Sequence, residues 1–467
     1  MSNAPTTRIE HDLLGERPVP AAAYWGIHTG RALENFALAG RPVASSLVRA
    51  LALVKKAACR ANVELGYLAP DVAGAVEAAC DEIAAGGLVA EFRVDALQGG
   101  AGTSTNMNVN EVIANRALEL LGAPRGDYAR IHPIDTVNLH QSTNDVYPTA
   151  LKVAAIFELR ALSEALARLQ GAFQKKEKEF AGIVKMGRTE LQDAVPITLG
   201  AEFSAFAEAF GRDRWRTFKC EERLRVVNLG GTAVGTGLTA PRRYIFLAVE
   251  RLREIAGIGL ARAENLVDQT ANADAFAEVS GILDACACNF IKVAQDLRLL
   301  HFLGEIRLPE VQAGSSLMPG KVNPVIMESL IGGGLRVQAD HALVSAAVAR
   351  GTLQLNEFLP LVADALLGAL PLLARMAQAL ARQVDGIAAD PARCALHTDS
   401  SVTLITAFVP KLGYERATEL VREFHRDGGG DFRRFLVGKL GPELVEQTLA
   451  PAALMALGHR EEERTSD

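Results

Sequence analysis

Apolar residues recur at helical spacing, with few internal breakers, from about Leu151 to Glu179, from about Asp274 to Leu300 and from Val325 to Val384. The pattern predicts long helices in all three stretches. In Leu151-Lys-Val-Ala-Ala-Ile-Phe-Glu-Leu-Arg-Ala-Leu the apolar face is wider than one stripe and rich in alanine, so helices can approach it from more than one side, as inside a bundle. A helix of about thirty residues is roughly 45 Å long, more than one small domain needs, which points to a bundle that continues across subunits. Strand signals are few. A short run at Val226-Val227-Asn228-Leu229 leads into a glycine-rich stretch, and no βαβ alternation surrounds it, so Gly230, Gly235 and Gly237 read as a turn and not as a dinucleotide fingerprint. Boundaries near His140 and near Asp390-Pro391 divide the chain into an N-terminal domain (1–140), a central helical bundle (141–390) and a small C-terminal domain (391–467). The expected class is mainly α.

With 467 residues, 49% of them hydrophobic and 22% charged, the chain can bury large cores. A formal charge of −6 without any Lys/Arg tract argues against a nucleic-acid partner, so any attraction for an anion has to be local. The six cysteines, Cys59, Cys80, Cys220, Cys286, Cys288 and Cys394, lack metal-ligand spacing, and Cys286-Ala-Cys288 has no second Cys/His pair to complete a zinc site. They are expected to be buried, reduced thiols, and no metal site is expected. Met1 to Thr7 shows neither a basic nor an apolar leader region, and Ala365 to Leu373 reads as too short or too interrupted to span a bilayer. These features predict a soluble cytoplasmic protein with no membrane partner.

Candidate chemistry concentrates in Gly314-Ser-Ser-Leu-Met-Pro-Gly-Lys-Val-Asn-Pro324. Gly314, Pro319, Gly320 and Pro324 forbid a continuous helix, which frees successive N–H groups to face an anion, and Lys321 adds a full charge. A serine inside such a cluster of donors can be held partly as an oxyanion and used as a base, which nominates Ser315 and Ser316. A plain surface loop has the same composition.

This stretch resembles the flexible loop of the aspartase/fumarase superfamily, with its Gly-Ser-Ser-x-Met-Pro-x-Lys-x-Asn-Pro pattern. Three further segments agree in order and spacing: Gly99-Gly100-Ala101-Gly102-Thr103-Ser104-Thr105-Asn106-Met107-Asn108, Gln141-Ser142-Thr143-Asn144-Asp145 and Gly187-Arg188-Thr189-Glu190-Leu191-Gln192-Asp193-Ala194. The N-terminal run Arg8-Ile9-Glu10-His11-Asp12-Leu13-Leu14-Gly15 is similar to the aspartase branch, and the resemblance covers essentially the whole chain. It implies a homotetramer on a shared helical bundle, active sites shared between chains, a small amino-acid or dicarboxylate substrate, and elimination of ammonia from L-aspartate to give fumarate without a cofactor. By the same resemblance Ser315 is the base. Thr103, Ser142, Thr143 and Ser316 bind the carboxylate that becomes an aci-carboxylate dianion, with Asn144 beside them. Thr189, Lys321 and Asn323 hold the other carboxylate.

Each residue also has a structural alternative. Ser142, Thr143 and Asn144 precede a long helix, where such residues serve as N-caps. Thr189 followed by Glu190 matches a common helix start. Glu190 is the sharpest departure, because aspartases carry histidine or glutamine there and fumarases histidine. A carboxylate near the leaving group attracts an ammonium and repels a departing hydroxide, which favours C–N cleavage and leaves room for an amine larger than ammonia. Ile134 and Asn356-Glu357-Phe358-Leu359-Pro360 also depart from the usual pattern, and the stretch from Leu300 to Leu308 is short. The alternatives are a C–N lyase for another amino acid or a substituted amine, then a fumarate hydratase; outside enzymes, a silent homologue or a helical scaffold.

Overall fold

The computed structural model describes residues 6–458. Most of the leader reading of Met1 to Thr7 and the charged C-terminal tail lie outside them. In chain order the elements are β1 (Thr7–Asp12), β2 (Gly15–Pro20), α1 (Ile27–Asn35), α2 (Ser45–Glu64), α3 (Pro70–Ala84), α4 (Thr103–Leu120), α5 (Thr143–Glu179), β3 (Val184–Thr189), β4 (Gln192–Thr198), α6 (Leu199–Leu224), β5 (Val226–Val227), α7 (Arg242–Ala256), β6 (Ala261–Arg262) and α8 (Leu266–Ala271). They continue with α9 (Asp274–Leu303), β7 (Ile306–Arg307), α10 (Val325–Val348), α11 (Leu359–Asp385), β8 (Ala388–Ala389), α12 (Pro391–Ser400), α13 (Val409–Leu412), α14 (Tyr414–Arg426), α15 (Phe432–Leu440), α16 (Pro442–Leu449) and α17 (Pro451–Leu454). The strands pair only in twos, as β1-β2, β3-β4, β5-β6 and β7-β8.

The chain forms two compact units, one of residues 1–163, 215–287 and 334–374, the other of residues 164–214, 288–333 and 375–467. In the first, Leu47, Leu51, Val54, Ala58 and Ala61 of α2 are buried, as are Val109, Val112, Ile113 and Ala117 of α4. These repeats of three and four residues turn one face of each helix inward. In the second, Phe173 of α5, Phe203, Phe206 and Phe210 of α6 and Phe290 of α9 form a chain of ring contacts 4.9 to 6.0 Å between centroids. The segment from Leu404 to Leu449 also gathers a core of its own, including Phe408, Leu420, Phe424, Phe432 and Leu436.

Two expectations about long helices change. The stretch from Val325 to Val384 is not one helix: it breaks between α10 and α11. At the break Leu353 has φ 52°. The buried Asn356 side chain donates to the carbonyls of Ala347 and Val348 at the end of α10 and accepts the N–H of Phe358 just ahead of α11. The apolar stretch Ala365 to Leu373 is neither short nor interrupted, since it belongs to α11, whose 27 residues and mean hydropathy of 1.6 make it long and apolar enough to cross a membrane. Of its most apolar 18 residues 67% are buried inside the protein, so this apolar character is that of a helix packed in the core. Cysteine placement is corrected at one position: Cys288 is exposed, whereas the other five are buried.

Candidate active site

Gly100, Ala101 and Gly102 have φ of 82°, 54° and 93°, so three successive left-handed residues curl the chain into α4. A Cβ on Gly102 would lie 2.3 Å from Cδ2 of Tyr147, and the bare backbone therefore lets the first turn of α4 sit against the second turn of α5. Thr103 is the first residue of α4 and its side chain is exposed. One turn on, buried Asn106 donates from Nδ2 to the Thr143 hydroxyl at 3.1 Å. The first unit thus brings Thr103, Ser142, Thr143 and Asn144 to adjoining helix N-termini, whose unpaired N–H groups and dipoles favour an anion.

The start of α5 is tied down by a reciprocal cap. Ser142 Oγ accepts the N–H of Asn144 at 3.2 Å, while Asp145 Oδ1 accepts the N–H of Ser142 at 3.0 Å. The capping reading therefore holds for Ser142 and does not describe Thr143, whose hydroxyl meets Asn106. Asn144 donates to the carbonyl of Ala233 at 2.8 Å. The other oxygen of Asp145 takes the N–H groups of Gly230 and Thr232, so the glycine-rich stretch is a turn closed onto α5. Asp145 is buried, and burial pushes its carboxyl up to about 6 despite the opposing N–H bonds and Lys55. Lys55 is likewise buried, which pulls its ammonium down to about 7 against the attraction of Asp145. Its Nζ donates to Asn138 Oδ1 at 2.7 Å and Gln141 Oε1 at 2.8 Å.

In the second unit Thr189 closes the β3-β4 hairpin opposite Gln192, leaving Glu190 and Leu191 as a two-residue tip. Their φ values are 52° and 62°, the left-handed pair that a type I′ turn requires, here without glycine. This corrects the helix-start alternative for Thr189 and Glu190: the segment is a hairpin, and both side chains are exposed. Beside the tip, Arg188 is held by the wholly buried Glu305 at 2.7 Å and by Asp193 across the hairpin at 3.2 Å. Burial raises the Glu305 carboxyl, but Lys185, then His397 and Arg188, bring it below its ordinary value.

The loop from Gly314 to Asn323 folds on itself. Gly314 donates its N–H to the carbonyl of Lys321 at 2.7 Å, and Asn323 Nδ2 donates to the carbonyl of Gly314 at 2.9 Å. A Cβ at Gly314 would lie 2.8 Å from both the Asn323 nitrogen and the Lys321 oxygen, so only glycine closes this turn. Ser315 Oγ accepts the N–H groups of Leu317 at 3.0 Å and Met318 at 2.8 Å, which favours negative charge on that oxygen. Ser316 and Lys321 are exposed. Among the described residues no hydrogen bond joins this loop to the Thr189–Glu190 tip. Sequence reasoning missed Lys55, Asn106, Asn138, Lys185, Glu305 and His397 as supports.

A family profile described as lyase matches residues 15–339. The chain belongs to this lyase family. The lyase is 44% identical over 467 residues to the aspartate ammonia-lyase of Pseudomonas fluorescens, with 98% of each chain covered. Its fold is similar to that of a solved fumarate lyase:delta crystallin from Brucella melitensis bound to cobalt, at TM-score 0.92 and 48% identity over 97% of this chain and 100% of that one. It is also similar to a class II fumarase from Schistosoma mansoni, at TM-score 0.90 and 31% identity over 97% and 100%. The mainly α aspartase/fumarase-like fold expected from the sequence is the fold of this lyase.

Proposed function

We propose that this lyase is an aspartate ammonia-lyase, converting L-aspartate to fumarate and ammonia. The observation that carries the proposal is the 44% identity, over 98% of both chains, to an enzyme of that name. The geometry supports it. Ser315, its oxygen already receiving two N–H groups, takes the proton from the carbon beside a carboxylate. The electron pair moves into that carboxylate, and the dianion is met by Thr103, Ser142, Thr143 and Ser316 with the adjoining helix N-termini. Collapse of the dianion breaks the C–N bond and releases ammonia. Thr189, Lys321 and Asn323 anchor the second carboxylate, and Asn144 lines the first.

Glu190 favours a second substrate. Its carboxylate, carried on an exposed two-residue tip, suits an ammonium or a substituted amine, so another amino acid is the alternative to aspartate. The proposed assembly is a cytoplasmic homotetramer with sites shared between chains, built from the three-part chain of 1–140, 141–390 and 391–467; the separate core from Leu404 to Leu449 supports the last boundary. Incubating the purified protein with a panel of amino and hydroxy acids and following the ultraviolet absorbance of the new conjugated double bond tests the proposal. Aspartate turns over faster than malate if it holds; the reverse order overturns the C–N assignment.

A further inference from the structure

The Thr143 hydroxyl has one hydrogen, and where it points decides whether the group can donate to an anion. Its oxygen accepts from Asn106 Nδ2 at 3.1 Å. The same Nδ2 donates to Asn138 Oδ1 at 3.2 Å. Both neighbours of that amide edge are therefore acceptors, and reversing the amide would set the Asn106 oxygen against the Asn138 oxygen. Asn138 is in turn fixed with its oxygen inward, because Lys55 Nζ at 2.7 Å and Asn110 Nδ2 at 3.2 Å also donate to it. Lys55 keeps at least two hydrogens in either protonation state, one each for Asn138 Oδ1 and Gln141 Oε1, so it sets the sense of the network. The hydrogen of Thr143 cannot point at an NH2 group and is left for an acceptor outside the network.

Asn106, Asn110 and Lys55 are 2%, 0% and 0% exposed. Among the described residues Asn106 Oδ1 and Asn110 Oδ1 are buried without a partner, so the orientation is set by what the Asn138 oxygen accepts and not by every amide atom being paired. We propose that Asn106 is a positioning residue for the elimination, its amide oriented by Asn138 and Lys55 so that the Thr143 hydroxyl is presented as a donor to the substrate carboxylate. The inference rests on Thr143 being a substrate ligand. Asn106 acts through Thr143 and touches no reacting atom.

A double-mutant cycle in the full-length enzyme with L-aspartate tests it. Asn106→Asp keeps the shape but offers the hydroxyl an acceptor, which turns the Thr143 proton inward. kcat falls about tenfold to a hundredfold, as for loss of one donor to a developing oxyanion, with KM changed far less. Thr143→Val removes the hydroxyl at constant shape and lowers kcat by itself. On that background Asn106→Asp brings no further loss, because nothing remains to be oriented. Losses that multiply overturn the proposal while leaving Thr143 as a ligand, whereas full activity of Thr143→Val overturns the ligand role itself. Asn106→Ala repeats the cycle without introducing a charge and gives the same non-additivity. If neither Asn106 variant yields folded protein by thermal denaturation, the residue is structural and the proposal falls.

Discussion

The corner at Ser142–Asp145 and the loop at Gly314–Asn323 carry similar hydroxyl and amide groups but are held by different means. The corner's bonds come from distant parts of the chain: Asn106 reaches Thr143 from α4, Gly230 and Thr232 reach Asp145 from the turn after β5, and Lys55 of α2 holds Gln141 just ahead of it. Most of these partners are buried, and each group left unpaired there costs about 1–3 kcal/mol. Among the described residues the loop's closing hydrogen bonds are its own, Gly314 with Lys321 and Asn323, and Ser315 with Leu317 and Met318, largely in contact with solvent. Bonds of that kind open at small free energy. Donors for a developing charge gain from being rigid before substrate arrives, whereas a base that closes over substrate gains from moving.

The widest separation between the two regions is expected at Ser315. Ser315→Ala lowers kcat about a thousandfold, within the range for general-base catalysis, leaves KM nearly unchanged and does not move the unfolding midpoint. Near-normal kcat in steady-state assays would assign the base elsewhere.

The reverse signature is expected in the corner. Lys55→Met strips hydrogen bonds from Asn138 and Gln141 and destabilises the protein by about 1–3 kcal/mol in urea unfolding, while Lys321→Met in the exposed loop stays within about 0.5 kcal/mol and raises KM instead. Equal effects on stability would erase the contrast between the regions.

Acidity sharpens the same contrast. The folded pKa of Lys55, about 7, lies below its unfolded value, so between that pH and the ordinary lysine range the unfolded chain binds the extra proton. Wild-type stability relative to Lys55→Met therefore rises as pH increases above 7. Asp145 is shifted the other way, to about 6, so the stability it contributes is present below its unfolded value of 3.8 and is lost as pH rises through 6. Unfolding curves across this range that run parallel for wild type and Lys55→Met would show that the lysine is not titrating there.

At the hairpin tip the expected effect falls on activity alone. Glu190→Gln keeps the shape and removes the charge, costing on the order of 1–3 kcal/mol in kcat/KM for an ammonium substrate, with stability unaltered. An unchanged kcat/KM would leave Glu190 without a part in C–N selectivity.

The long helices were legible because apolar residues at helical spacing run through them with few breakers, and α5 and α9 cover the stretches where that spacing holds. The break between α10 and α11 was not, since it is made by Asn356 reaching into two helix ends, and polarity alone does not announce a shared cap. At Thr189–Glu190 a helix-start pattern lost to strand pairing between segments that read weakly on their own. The supporting residues left a trace that went unread. Leu47, Leu51, Lys55 and Asn62 fall on one buried stripe of α2, and a lysine in such a stripe needs partners. The run of asparagines at 106, 108, 110 and 115 in α4, all buried, is a second sign of an interior polar network.

The amide of Asn356 also makes the end of α10 and the start of α11 a single cooperative joint. Fraying of the last turn of α10 releases the Asn356 nitrogen, and the oxygen on the same planar group then loses its hold on Phe358. Opening at one helix terminus is thereby transmitted to the next, whereas ordinary termini loosen independently. Backbone amides on the two sides of the joint should exchange with solvent through one shared opening event, and a reader of the exchange pattern would see two helices behaving there as one foldon.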